Sequence, residues 1–209
     1  MSATFVDELP FGFGWLEPGS FARRCSHAVA VEGKVWLLDA LANDEALERV
    51  SSLGEPAGVV QLLDRHGRDN EAVAARFGVP LHVVPSEAPS GAPFEVVPLL
   101  RNRLWSEVAL WFAEQRTLAV ADALGTAQYY RAPDEAVAVS PLLRLTPPRR
   151  LLGFEPDHLL VGHGEGVHED APAAVRGAIE GSASRIGSWF WAGIRAHGPG
   201  GTHPLGRQR

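Results

Sequence analysis

Asp64-Arg65-His66-Gly67-Arg68-Asp69 sets five ionisable side chains in six consecutive positions. The loop follows the apolar run 59–63, short enough to be a buried strand, and precedes residues 71–77, whose pattern predicts a helix ended by Gly78. Asp69 or Asn70 has the side chain to cap that helix. A charged loop thus joins a strand to a helix.

The same grammar extends outward on both sides. Upstream, residues 11–15, 27–31 and 34–39 read as strands, with a tight hairpin turn at Glu32-Gly33 and an acidic stop at Asp39. Asn43 then caps a helix in which Ala46, Leu47 and Val50 recur at helical spacing until Gly54. Downstream, 80–84 returns as strand, and the Pro-, Ser- and Gly-rich stretch 85–93 predicts a surface loop. Strands follow at 94–97, 107–112 and 117–121. Pro133, Pro141, Pro147 and Pro148 break the region 124–156, where one short helix is predicted near 134–139. Residues 158–161 form the last strand, and 170–180 an amphipathic helix with Pro172 in its first turn. Ile186, Trp189, Phe190 and Ile194 suit one face of a final helix. There is no internal repeat and no domain linker. One domain over residues 1–197 is expected, with 198–209 as a flexible tail.

Four segments in order resemble the metallo-β-lactamase superfamily. Val31-Glu32-Gly33-Lys34-Val35-Trp36-Leu37-Leu38-Asp39-Ala40 resembles its second hairpin. The loop 64–69 stands where that family has His-x-His-x-Asp-His, Leu118-Ala119-Val120-Ala121-Asp122-Ala123-Leu124 resembles the strand leading to its bridging Asp, and Leu159-Leu160-Val161-Gly162-His163-Gly164-Glu165 resembles its Gly-His-Gly loop. The resemblance implies an α/β (α+β) fold, a four-layer αββα sandwich with helices outside two facing sheets.

It also implies a site, which this chain has rewritten. His66, Asp122 and His163 match ligand positions, Asp64 and Asp69 stand where the family has His, and Arg68 where it has Asp. The remaining His position falls on Arg103, beside Trp105, an aromatic that pairs well with a guanidinium at a pocket rim. Guanidinium has no lone pair to give a cation. Two metals are therefore not expected, and the first reading is a metal-free pocket of Asp64, His66, Arg68, Asp69, Arg103, Trp105, Asp122 and His163. In it Arg68 and Arg103 replace metal charge and pair with Asp64, Asp69 and Asp122. No cofactor is expected on that reading, which makes the chain a small-molecule-binding or non-catalytic relative. The alternative is a mononuclear hydrolase acting on an ester, thioester, phosphoester or lactam, with one Zn²⁺, Mn²⁺ or Fe²⁺ on some of Asp64, His66, Asp69, Asp122 and His163.

Each residue also has a plainer role. Asp69 reads first as a helix cap, His66 as a loop imidazole bonded to backbone, and Asp122 as a strand end. His163 lies between two glycines, which permit a close backbone approach that a plain turn does not need. His168 to Asp170 start the next helix, His82 belongs to a strand, and Cys25, with no base placed near it, is expected to be inert.

Composition narrows the partners. The chain has 209 residues, 45% hydrophobic, enough for one buried core. Its net charge of -6 argues against nucleic acid. Lys34 is the only lysine, so the arginines carry a compositional bias and weigh by position. A single cysteine excludes an intramolecular disulfide, and nothing resembles a signal peptide or a membrane helix, so the cytoplasm is the expected compartment. A homodimer through the Trp-rich C-terminal helix is a third reading, that of a structural or interaction protein.

Overall fold

The computed structural model describes residues 2–197. Strands β1 (Thr4–Leu9), β2 (Gly12–Leu16), β3 (Cys25–Val31) and β4 (Lys34–Leu38) run antiparallel to one another in sequence order. Glu32 (φ 50) and Gly33 (φ 78) close the β3–β4 hairpin with left-handed conformations, as a two-residue turn between right-twisted strands requires. Helix α1 (Asp44–Leu53) follows, its Asn43 cap accepting the Ala46 amide at 3.1 Å. At its end Gly54 passes so close to Gly33 that a Cβ would lie 2.6 Å from the Gly33 carbonyl oxygen. Strand β5 (Glu55–Gln61), helix α2 (Asn70–Phe77) and strand β6 (Leu81–Val83) complete a sheet of order β1-β2-β3-β4-β5-β6, in which β4, β5 and β6 are parallel.

The second sheet contains β7 (Glu95–Asn102), β8 (Trp105–Phe112), β9 (Thr117–Val120) and β12 (His158–Val161), in the order β12-β9-β8-β7. Between β9 and β12 runs a short ribbon, β10 (Leu124–Gly125) with β11 (Ala138–Val139). Helices α3 (Ala171–Gly181) and α4 (Ile186–His197) end the described chain. No helix among the described residues is long and apolar enough to cross a membrane.

Alternation along the strands builds two cores. On β4, Val35 and Leu37 pack with Leu47 and Val50 of α1 and Val73 of α2, while Trp36 and Leu38 face the other way and pack with Leu110, Phe112, Leu118 and Leu160 of the second sheet. Val175 and Ile179 of α3 join this second core. Helices, sheet, sheet and helix form the four expected layers. Each fully buried Leu or Val in them contributes about 1.5–3 kcal/mol.

Two expectations differ from the structure, and one strand was not expected. Residues 134–139 are not a helix, because Glu135 is drawn into a buried ion pair with Arg144 (2.7 Å) and accepts the Ala132 amide, leaving 138–139 to pair with β10. Strand β7 runs five residues past the expected 97, continuing its pairing with β8 across an irregularity between Pro98 and Leu100. Strand β1 had no clear sequence signal, since its alternation is interrupted at Asp7, where φ is 52. The tail expected over 198–209 lies outside the described residues.

Candidate metal centre

The loop after β5 crosses to the second sheet before it reaches α2. Val108 N donates to the Leu62 carbonyl (2.9 Å), Asp64 N to the Ser106 carbonyl (3.0 Å), and Gln61 Nε2 to the carbonyls of Leu63 (2.8 Å) and Asp64 (3.0 Å). His66 is anchored at both backbone ends: its N–H donates to Leu63 O (2.9 Å), and its carbonyl accepts from Asn70 Nδ2 (2.7 Å). At the end of β4, Asp39 (φ 46) turns its carboxylate back, so that Oδ1 accepts Leu62 N at 2.9 Å and Oδ2 lies 2.7 Å from His66 Nδ1.

His163 is oriented by the same logic from a different strand end. Its Nδ1 lies 2.7 Å from the Ala22 carbonyl, and its own carbonyl accepts the amides of Thr126 (3.0 Å) and Ala127 (3.1 Å). Both flanking glycines are required sterically. A Cβ on Gly162 would sit 2.8 Å from Ala121 O, and one on Gly164, at φ 96, would sit 2.1 Å from Thr126 Oγ1. Tyr130 stacks on the His163 ring at a centroid distance of 5.9 Å.

The two imidazoles meet at Asp122, just after β9. Asp122 Oδ1 lies 3.0 Å from His66 Nε2 and 3.0 Å from His163 Nε2. Ligand atoms of the three residues all lie within 4.8 Å of one another. Although both contacts are short, Oδ1 is buried without a well-aligned hydrogen bond. Burial pushes the Asp122 carboxyl up, but the two imidazoles outweigh it and hold the group far below the ordinary carboxylate range. Burial likewise opposes charge on His66, and Asp39 and Asp122 outweigh it, pushing His66 up to about 9.

Glu107, in the interior of β8, was not a candidate from sequence. Its Oε1 accepts both amides that flank Asp122, Ala121 N (3.1 Å) and Ala123 N (2.8 Å), and its Oε2 accepts Trp105 Nε1 (2.8 Å). Burial pushes it up to about 7. An acidic residue directly before the apolar run 108–112 is the signal that could have found it.

The other candidate residues divide differently from the expectation. Arg68, itself left-handed (φ 41), does not pair with Asp69 or Asp122: its guanidinium donates to the carbonyls of Cys25, Asp39 (2.8 Å) and Gly162 (2.9 Å). Asp69 Oδ2 accepts Ala42 N (2.8 Å) and makes no side-chain bond as helix cap, and Asp64 Oδ2 accepts Ser106 N (2.9 Å). Arg103 is exposed on the β7–β8 turn. The rim guanidinium is that of Arg65, stacked over Trp105 at 4.0 Å with Nε 3.9 Å from Asp122 Oδ2.

Two sheets carrying a strand-end His, a strand-end Asp and a Gly-His-Gly loop at one edge match solved structures over most of the chain. A metallo-β-lactamase from Pontibacter korlensis superimposes with a TM-score of 0.60 at 11% identity, covering 84% of this chain and 99% of that one. The chain has the metallo-β-lactamase fold. A diflavin flavoprotein A 5 fragment from Nostoc sp. gives a TM-score of 0.63 at 10% identity over 88% of this chain and 98% of that one. The chemotaxis sensor ODP, solved as a peroxy diiron species, gives 0.52 at 12% identity over 83% and 93%. No family model and no curated protein matches the sequence.

Within this fold His66, Asp122 and His163 fit a divalent cation. Each imidazole has its Nδ1 committed to an acceptor and its Nε2 turned to the common point, the outer-partner arrangement that orients metal-ligating histidines. Two imidazoles with one carboxylate suit Zn²⁺, Fe²⁺ or Mn²⁺.

Proposed function

We propose that the chain is a single-metal hydrolase, in which His66, Asp122 and His163 hold one divalent cation and the second metal position of the fold has been lost. The observation that carries this reading is Asp122 Oδ1, buried between two imidazole nitrogens at 3.0 Å and bonded to neither with proper alignment. A cation there would supply a Lewis acid and an acidified water, as hydrolysis of an ester, thioester, phosphoester or lactam needs. The protein's own groups do the rest. Asp39 and the Ala22 carbonyl fix the imidazole tautomers, and Glu107 holds the backbone on either side of Asp122. Asp64 and Asp69 are held by backbone amides, and among the described residues they do not join the His66–Asp122–His163 group, which supports one metal over two. The half-exposed Arg65, braced on Trp105, favours a substrate that carries a carboxylate or phosphate.

The metal-free binding protein is the competing reading, favoured by the Asp39–His66 pair and the nearness of Asp122 to His66, which set opposite charges together without a metal. Metal content separates the two. Chelator-treated protein reloaded with Zn²⁺, Mn²⁺ or Fe²⁺ should hold one equivalent more than the His66→Ala/His163→Ala double variant, and hydrolysis of a thioester and phosphodiester panel should vanish with that equivalent. Equal metal content in the two proteins would overturn the hydrolase reading.

A further inference from the structure

A second cluster of ligand-type side chains lies outside this centre. Asp7, Cys25 and His27 are all buried, and each offers an atom within 4.8 Å of the others. Cys25 and His27 are two residues apart on β3 and share a face. Asp7 reaches them through the break in β1, where pairing with β2 shifts between Val6 and Leu9 and Asp7 adopts φ 52, a conformation unfavourable for a residue with a Cβ. Gly14 on β2 leaves the room, since a Cβ there would lie 2.9 Å from His27 Cδ2 and 3.1 Å from Asp7 Oδ2.

Hydrogen bonding leaves the sulfur weakly held: besides its contact with His27, Cys25 Sγ reaches only the Ser26 carbonyl, at 3.7 Å. His27 Nε2 lies 2.9 Å from Asp7 Oδ2 and 3.5 Å from Cys25 Sγ, yet one ring nitrogen carries at most one proton and can donate to only one of them. A cation at their meeting point satisfies sulfur, nitrogen and oxygen together. At ordinary Zn–S and Zn–N bond lengths and tetrahedral angles a sulfur and a nitrogen ligand stand about 3.5 Å apart, as Cys25 and His27 do, whereas the 2.9 Å between His27 Nε2 and Asp7 Oδ2 is a hydrogen-bond distance that widens on binding. The far oxygen of Asp7 accepts Gly166 N at 2.7 Å and lies 3.0 Å from His168 Nε2, outer contacts of the kind that orient a ligating carboxylate.

We propose that Asp7, Cys25 and His27 bind one Zn²⁺-type cation at a buried three-ligand site, distinct from the His66–Asp122–His163 centre. The thiolate selects a borderline-soft ion over Mg²⁺ or Ca²⁺, and coordination releases the Cys25 thiol proton. A cation there ties β1 to β3 and, through Cys25 N on the Gly162 carbonyl (2.9 Å), to the loop that carries His163. Uptake therefore accompanies folding.

The full chain refolded from denaturant with Co²⁺ tests this, because a thiolate–cobalt charge-transfer absorption in the near ultraviolet can come only from a site containing Cys25, the sole cysteine. We expect that absorption at one equivalent of Co²⁺, displaced by Zn²⁺ and unchanged in the His66→Ala/His163→Ala variant. His168→Gln should weaken Zn²⁺ binding roughly 10- to 100-fold. Wild-type protein that refolds with native circular dichroism and shows no such absorption would overturn the proposal whatever the variants do. Its failure is separate from that of the hydrolase reading, whose centre holds no sulfur.

Discussion

Glu107 is the residue on which the geometry of Asp122 rests, and its charge state can be read from stability. Its carboxyl is raised by burial from 4.5 to about 7, so the folded state holds the proton more tightly than the unfolded chain between those values. Stability must then fall as pH rises from about 4.5 to 7 and level off above, by on the order of 3 kcal/mol for this group. Glu107→Gln cannot titrate. In chelator, the stability advantage of wild type over Glu107→Gln should shrink between pH 5 and pH 7.5, measured by denaturant midpoints; a constant difference would mean that Glu107 is ionised throughout. Arg68 carries a related lesson. At a position where the fold family has an Asp ligand, it serves as a donor to three carbonyls from β3, the end of β4 and the β12 loop. Its guanidinium thus joins three segments and does not pair with Asp69 or Asp122.

Among the elements, the β12–Gly162–His163–Gly164 turn is the least tolerant of change. Gly164→Ala forces a Cβ against Thr126 Oγ1 and Ala127 N at a positive φ, and backbone strain of this sort costs about 1–3 kcal/mol before the clash is counted. The variant should melt well below wild type and lose the metal equivalent assigned to His66, Asp122 and His163. An unchanged melting temperature would show that the 162–164 segment relaxes freely. The elements whose side-chain period is local were legible in the sequence: α1 with its Asn43 cap, the Glu32-Gly33 hairpin, and α2 ended by Gly78 at φ 66. The region 134–139 was not, because Glu135 takes its conformation from Arg144, nine residues on, and from no pattern of its own.

At the scale of the whole molecule, α4 divides its two tryptophans as their two-residue separation requires. Trp189 Nε1 donates to the Tyr129 carbonyl at 2.8 Å, while Trp191 is 60% exposed beside exposed Phe190. Changing Trp189, half-buried and hydrogen-bonded, to Ala should therefore cost about 1–3 kcal/mol, and Trp191→Ala under about 0.5 kcal/mol in a monomer. Sedimentation decides whether Trp191 has another use: if Trp191→Ala shifts a dimer to monomer, α4 is an interface, and if wild type is already monomeric, that idea is lost. The sequence by itself placed His66, Asp122 and His163 in one pocket through the resemblance of the segments that carry them, but it placed Asp64, Arg68, Asp69 and Arg103 with them, and these do not join the cluster. The groups that support His66, Asp122 and His163 were decided only by tertiary structure. Asp39 meets His66 across 27 positions, and Arg68 meets Gly162 across 94. Contacts of that kind depend on which strand ends the two sheets bring to one edge and on left-handed turns at Asp39 and Arg68, and no sequence period encodes either.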